Sequence, residues 1–233
     1  MSQSGRGSRL PGGARSECLQ KYLHFQFFRL YLPISKIDET QMARLNDTRE
    51  QIMDRAAQLL MSRGYNGFSY RDISSHLGVK NAAVHYHFPA KTDLALALID
   101  EYRKVLRKGT AEFMAYGGSA LQQLEGFFAF TQQQCQLGRC ICPFGAFSVD
   151  YNELPEELQR ATRSFMEESM QWLTRVMEVG RSSGEFSFEG DPRAKALVVL
   201  SALQGTRQLA RIHGVDMLDQ VIAQIRQDLN ITG

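Results

Sequence analysis

The sequence has no run of about 18 apolar residues, the length a membrane helix needs. Its nearest candidate, LQKYLHFQFFRLYLPI, is broken by Lys21, His24 and Arg29, and no small-residue cleavage site follows it. A cytoplasmic chain is therefore expected. Also missing are a nucleotide-binding glycine loop, a G-x-S-x-G step and a C-x-x-C pair, which removes the sequence grounds for several enzyme classes. Cysteine is scarce: Cys135, Cys140 and Cys142 cluster, and Cys18 stands far away, which is no secreted disulfide framework in 233 residues. The C-x4-C-x-C spacing is not a usual zinc pattern, and no nearby histidine completes it, so neither metal nor cofactor is expected. Net charge is small as well, at +2.

What charge there is lies unevenly. Residues 1–41 carry 6 basic and 3 acidic groups, 42–92 carry 7 and 4, and 93–233 carry 14 and 18. A basic N-terminal half on an acidic body fits a small nucleic-acid-binding module joined to a larger part that does not bind. With 43% hydrophobic residues the chain can bury a substantial core. Residues 1–41 open with MSQSGRGSRLPGGARSE, which is Gly, Ser and Arg-rich and expected to be disordered. Met42 then opens MARLNDTREQIMDRAAQLL. The first 41 residues read as translated upstream sequence or a dispensable arm, with a membrane-surface segment as the alternative.

In the next part, Thr48 and Gln51 have capping-box spacing, and Ile52, Met53, Ala56, Ala57, Leu59 and Leu60 mark one apolar face until Arg63-Gly64 ends the helix. Ser69-Tyr70-Arg71-Asp72 starts a short helix carrying Ile73 and Leu77. Gly78 permits a sharp turn, and Lys80 to Phe88 makes a third helix. Two short helices joined through a Gly-containing turn and braced by a longer one describe a helix-turn-helix. The stretch VKNAAVHYHFPAKTDL sets His85 and His87 two apart, about 200° around a helix, so they cannot share an ion. Val84 and Phe88, four apart, face the core and leave Ala82, Ala83, His85 and Tyr86 outward, where small residues admit a helix to the major groove. Pro89 ends the helix. Lys91 and Thr92 then offer an ammonium and backbone N–H groups to a phosphate.

The segment TREQIMDRAAQLLMSRGYNGFSYRDISSHLGVKNAAVHYHFPAKTDLALALID resembles the DNA-binding domain of TetR/AcrR transcriptional regulators across about 50 residues. The resemblance implies an all-α, dimeric protein: a three-helix DNA-binding domain over 42–92, and a ligand-binding and dimerisation domain over 93–233. It further implies a small-molecule inducer and a double-stranded operator. Carried over position by position, Tyr70, Arg71, Lys80, Asn81, Ala82, Ala83, His85, Tyr86, His87 and Lys91 fall where members touch DNA. Arg71 and Asn81–Ala83 match base-reading positions; Tyr86, His87 and Lys91 match backbone contacts. His85 departs from the family, which usually has tyrosine there. Repression is the family's commoner mode.

Beyond residue 93, long helical stretches are punctuated by Gly117-Gly118, Gly138 and Pro155. Aromatic residues concentrate there. Most read as core, while the resemblance implies a pocket, for which Phe113, Phe127, Phe144, Phe147, Tyr151, Phe165 and Trp172 are the candidates. In LGRCICPFGAFSVDYNELPEEL, Cys142-Pro143 reads as N-cap and first residue of a short helix. A thiol there meets free N–H groups and the positive helix end, with Arg139 nearby, which fits a redox- or electrophile-sensing cysteine that Cys140 or Cys135 would resolve. The alternative is a small buried apolar residue. The last two helical stretches, within 192–230, read as a homodimer seam: Leu197, Val198, Ser201, Gln204, Gly205, Gln208, Leu209 and Ile212, then Leu218, Val221, Ile222, Ile225 and Leu229. A thiol-dependent enzyme using Cys142 is the rival reading. It needs a nearby base, and His24, His76, His85, His87 and His213 all lie outside the cysteine-bearing stretch.

Overall fold

The computed structural model describes residues 48–115 and 118–231 of the chain. The expectations for 1–41 and for the opening at Met42 lie outside the described residues. Within them the chain is α-helical, without strands. The elements are α1 (Thr48–Arg63), α2 (Tyr70–Leu77), α3 (Asn81–His87), α4 (Lys91–Ala115), α5 (Ala120–Gln136), α6 (Pro143–Val149), a 3-10 turn (Tyr151–Glu153), α7 (Glu156–Ser183), α8 (Pro192–His213) and α9 (Asp216–Asp228).

α1 buries Ile52, Met53, Ala56, Ala57, Leu59, Leu60 and Met61, the face read from its sequence with Met61 added. Thr48 is itself helical, within α1, where its spacing from Gln51 suggests a cap. The capping device sits instead at α2, where the Asp72 carboxylate accepts from the Ser69 N–H at 2.8 Å and from the Ser69 hydroxyl at 2.7 Å. Gly78 closes α2 with a φ of +67°, a left-handed turn that turns the chain toward α3. α3 stops at Phe88, whose N–H still reaches Val84 O at 2.9 Å, because Pro89 follows.

The head's apolar cluster does not end at residue 92. It runs on through Leu94, Ala95, Leu98, Ile99 and Tyr102 of α4 and takes in Ile141, Ala146, Phe147, Leu154, Leu158 and Phe165. A division at 92/93 therefore cuts through the first turn of α4 and through a continuous core. α4 is also tied to α7: Glu168 accepts from Arg103, and from Arg107 Nε and Nη2 at 3.1 and 3.0 Å. Burial alone would raise the Glu168 pKa, but the bonds from the two guanidiniums bring it below the ordinary carboxylate value.

A second cluster fills the far end of the body, with Leu124 and Phe128 of α5, Leu173 and Met177 of α7, and Leu200 and Leu203 of α8. α9 joins it through Leu218, Ile222, Ile225 and Leu229, all buried, with Val221 packed against them. This corrects the reading of that stripe as a dimer seam. In the protomer it already closes the bundle, each side chain contributing about 1.5–3 kcal/mol of burial. The α8 stripe divides differently: Leu197, Val198, Ser201, Gly205, Leu209 and Ile212 are exposed, with Ile212 at 76%.

Candidate nucleic-acid interface and thiol site

On the head, Arg71, Lys80, Asn81, Ala82, His85 and Tyr86 are exposed, while Ala83 and His87 are half-buried. Val84 and Phe88 are buried beneath them. α3 thus exposes an amide, an alanine, an imidazole and a phenol at Asn81, Ala82, His85 and Tyr86, with Tyr86 standing 84% exposed at an edge-to-face contact with the half-buried His87. Such a surface supplies close approach, hydrogen bonding and little bulk, which is what a groove-reading helix needs.

Two members of the expected contact set point elsewhere. Tyr70 is buried, its hydroxyl donates to Phe88 O at 2.8 Å, and its ring meets that of His85 edge-on at 4.7 Å. Burial, then Asp93 and Tyr65, push its pKa up to about 12. It ties the start of α2 to the end of α3. Lys91 is likewise turned inward. Its ammonium donates to Tyr65 O at 2.5 Å and to Phe68 O, and lies over both rings. Burial lowers its pKa, opposed by the charges of Asp150 and Asp72. An α4 N-terminal residue has the reach for a phosphate, but here two orphan carbonyls of the α1–α2 loop claim it.

The body's aromatic candidates do not converge. Phe113 lies in α4 and Phe144 in α6, and their side chains lie outside the described part of the structure. Phe147 and Phe165 belong to the head-proximal cluster, with Phe165 stacked on Tyr102 at 6.2 Å. Tyr151 packs against that cluster and accepts from Arg163 at 3.1 Å. Phe127 and Trp172 sit with the far cluster, edge-to-face at 5.4 Å, and the indole N–H donates to Gln123 Oε1 at 3.2 Å. Spacing along the chain could not separate these two levels of the bundle. A cleft of about 540 Å³ opens instead where the head meets the body, lined among others by Arg63, Asn66, Asp150, Gln204, Gln208 and Arg211.

That cleft adjoins the cysteines. Cys142 is the N-cap of α6 with Pro143 at the first position, as the Cys-Pro step suggested. Its Sγ accepts from Gly145 N–H at 3.3 Å and donates to Gln204 Oε1 at 2.7 Å, and the residue is 7% exposed. Cys140 is buried with its thiol 3.7 Å from Cys135 O, and burial pushes the Cys135 thiol up to about 12 in spite of the Arg207 charge. The guanidinium placed on the cysteine loop is that of Arg207. It is 6% exposed and donates to Cys140 O at 3.0 Å and to Arg139 O at 2.8 Å. Cys18 lies outside the described residues. Among the described residues no group of three His, Cys, Asp or Glu is placed to hold a metal, and no helix is long and apolar enough to cross a membrane.

Sequence reasoning missed Asp150, Arg207 and Gly145. Asp150, at the end of α6, accepts from Asn66 N–H at 3.1 Å. At Gly145 a Cβ would lie 3.2 Å from Gln208 Nε2, so α6 comes close to α8 there and a side chain would require Gln208 to give by a few tenths of an ångström. The only local signal was the glycine two residues after Pro143.

Comparison with known proteins places these features in a group. The family described as "Bacterial regulatory proteins, tetR family" matches residues 52–98, and "Tetracyclin repressor-like, C-terminal domain" matches 121–225. The chain is 22% identical over 185 residues to the HTH-type transcriptional repressor NemR of Escherichia coli K12, covering 78% of this chain and 93% of that protein. A TetR-family regulator from Agrobacterium tumefaciens superposes with a TM-score of 0.73 at 29% identity, over 79% of this chain and 97% of the other. The reduced form of E. coli NemR gives 0.63 at 22% identity, over 80% and 98%.

Proposed function

Because the chain belongs to the tetR family of bacterial regulatory proteins, it is a ligand-responsive DNA-binding transcriptional regulator, and we propose that it is a repressor released through Cys142. Regulators of this family bind DNA operators, typically act as dimers and are generally not enzymes. In this reading α3 enters the major groove. Asn81 and Arg71 read base edges, and Lys80, Tyr86 and His87 hold phosphates. A second copy covers the exposed Leu197, Val198, Leu209 and Ile212 of α8. Two heads on a two-fold axis then read a near-palindrome with half-sites about one helical turn or slightly more apart.

The observation that carries the thiol reading is the seat of Cys142. The sulfur receives one N–H from its own helix and gives its proton to Gln204 on α8, so both the helix cap and the α8 contact depend on its state. Oxidation or alkylation removes the S–H donor and adds bulk between the start of α6 and Gln204 of α8. Release follows only if the modified chain favours a conformer with lower DNA affinity.

The test is binding of the protein to DNA from its own upstream region, with and without a mild thiol oxidant, for wild type and Cys142→Ser. Release by oxidant in wild type and none in the variant is the expected result; equal release in both removes Cys142 as the trigger. The cleft favours a second reading, a non-covalent inducer held by the Gln204, Gln208 and Arg211 side chains. A small molecule that releases DNA from both proteins would select it.

A further inference from the structure

α6 makes contacts at both ends, and they lead to different parts of the molecule. At its start, Cys142 Sγ meets Gln204 of α8; at its end, the Asp150 carboxylate accepts from Asn66 N–H at 3.1 Å in the α1–α2 loop of the head. Between them Gly145 lies against α8, and Phe147 is fully buried with its ring 6.3 Å from that of Tyr65. A seven-residue helix is about 10 Å long and does not bend over that distance, so a tilt imposed at its cap arrives at its far end. The head loop has a second hold in Lys91, which takes the carbonyls of Tyr65 and Phe68 from the start of α4.

We propose that Asp150 is the positioning residue of the switch: its bond to Asn66 couples the state of the α6 cap to the placement of the 64–69 loop. This rests on the reading of Cys142 as the trigger. The apolar Phe147 contact is not directional and survives a small rotation of α6. The Asp150 bond is directional and has a single backbone donor, so it breaks when α6 tilts. Asn66 is exposed, and its N–H can then turn to water, so the latch opens at modest cost. Once it opens, Lys91 is the remaining polar hold on the loop beside the buried Tyr65 and Phe68, and the α1–α2 connection loses one of its polar ties to the rest of the chain.

The experiment uses the full chain as wild type, Asp150→Ala and Asp150→Asn, each alkylated with iodoacetamide. The Cys142 Sγ–C bond forms, iodide leaves and the thiol proton goes to solvent; intact mass gives the extent, with Cys142→Ser as the labelling control. Two quantities are read: hydrogen exchange of the 64–69 amides and affinity for the upstream DNA. In wild type, alkylation should speed exchange of this loop and weaken DNA binding by about tenfold or more. In Asp150→Ala the loop should exchange fast before and after, and the response to alkylation should fall below about threefold. Asp150→Asn keeps an acceptor oxygen and should keep most of the response. An Asp150→Ala protein that releases DNA on alkylation to the same fold as wild type overturns the latch. If alkylation leaves wild-type DNA affinity unchanged, the thiol trigger fails; loop exchange that responds in wild type and not in Asp150→Ala then still supports the latch, and unresponsive exchange ends both.

Discussion

Lys91 and Asp150 grip one loop of the head from two elements of the body side: the ammonium takes the carbonyls of Tyr65 and Phe68, and the carboxylate takes the N–H of Asn66 between them. The Asp150 charge also supports the protonated form of Lys91 against burial. The helix-turn-helix is therefore attached to the body by polar bonds at the same place where the apolar core is continuous.

Lys91→Met should destabilise the protein by about 1–3 kcal/mol, because two loop carbonyls lose a charged donor. Urea unfolding checks this. A lysine engaged only with phosphate would leave stability unchanged and lower the salt slope of DNA binding by about one.

Asp72 gives a pH dependence. The Ser69 hydroxyl and N–H, and then Arg63, hold its pKa at about 2, below the ordinary 3.8. A carboxylate depressed on folding adds stability that is complete above the unfolded value and fades as pH falls from about 4 toward about 2. Thermal melts across that range should show the loss, and Asp72→Asn should lower the plateau and flatten this part of the profile. A variant with the same acid slope as wild type would assign the effect to another group.

Asn81→Ala should reduce discrimination at one base position by about 1–3 kcal/mol, while Tyr86→Phe should weaken cognate and scrambled DNA alike. Competition binding with single-base operator variants separates the two. An Asn81→Ala protein that loses affinity equally for all sequences would place that residue on the backbone.

Ile212→Asp should shift the protein toward monomer in sedimentation without lowering its helix content, because the side chain is 76% exposed in the protomer. Ile222→Asp should instead unfold the body, since Ile222 is fully buried in it. Equal oligomer size for wild type and Ile212→Asp would mean that α8 is not the seam.

Local patterns carried much of this. Val84 and Phe88 four apart, the glycine after α2 and the Cys-Pro step are features of one to five residues, and the folded chain uses each as its sequence suggests. The expected functional set was less secure. Tyr70 and Lys91 occupy DNA-contacting positions by resemblance, yet their polar ends are taken by carbonyls 18 to 26 residues away.

The sequence by itself determined that this is an all-α chain with a helix-turn-helix, because helix period, caps and turn glycines act over a few residues and need no distant partner. Only the tertiary structure decided which apolar stripe stays outside, where polar side chains point and what α6 connects. α8 and α9 both carry apolar stripes: that of α9 packs against α5 and α8 and is buried, while Leu197, Val198, Leu209 and Ile212 lie on a side of α8 that stays exposed. Asp150 became a hold on the head because folding brought it against Asn66, 84 residues away. Such a contact depends on the packing of whole helices, which no short window of residues encodes.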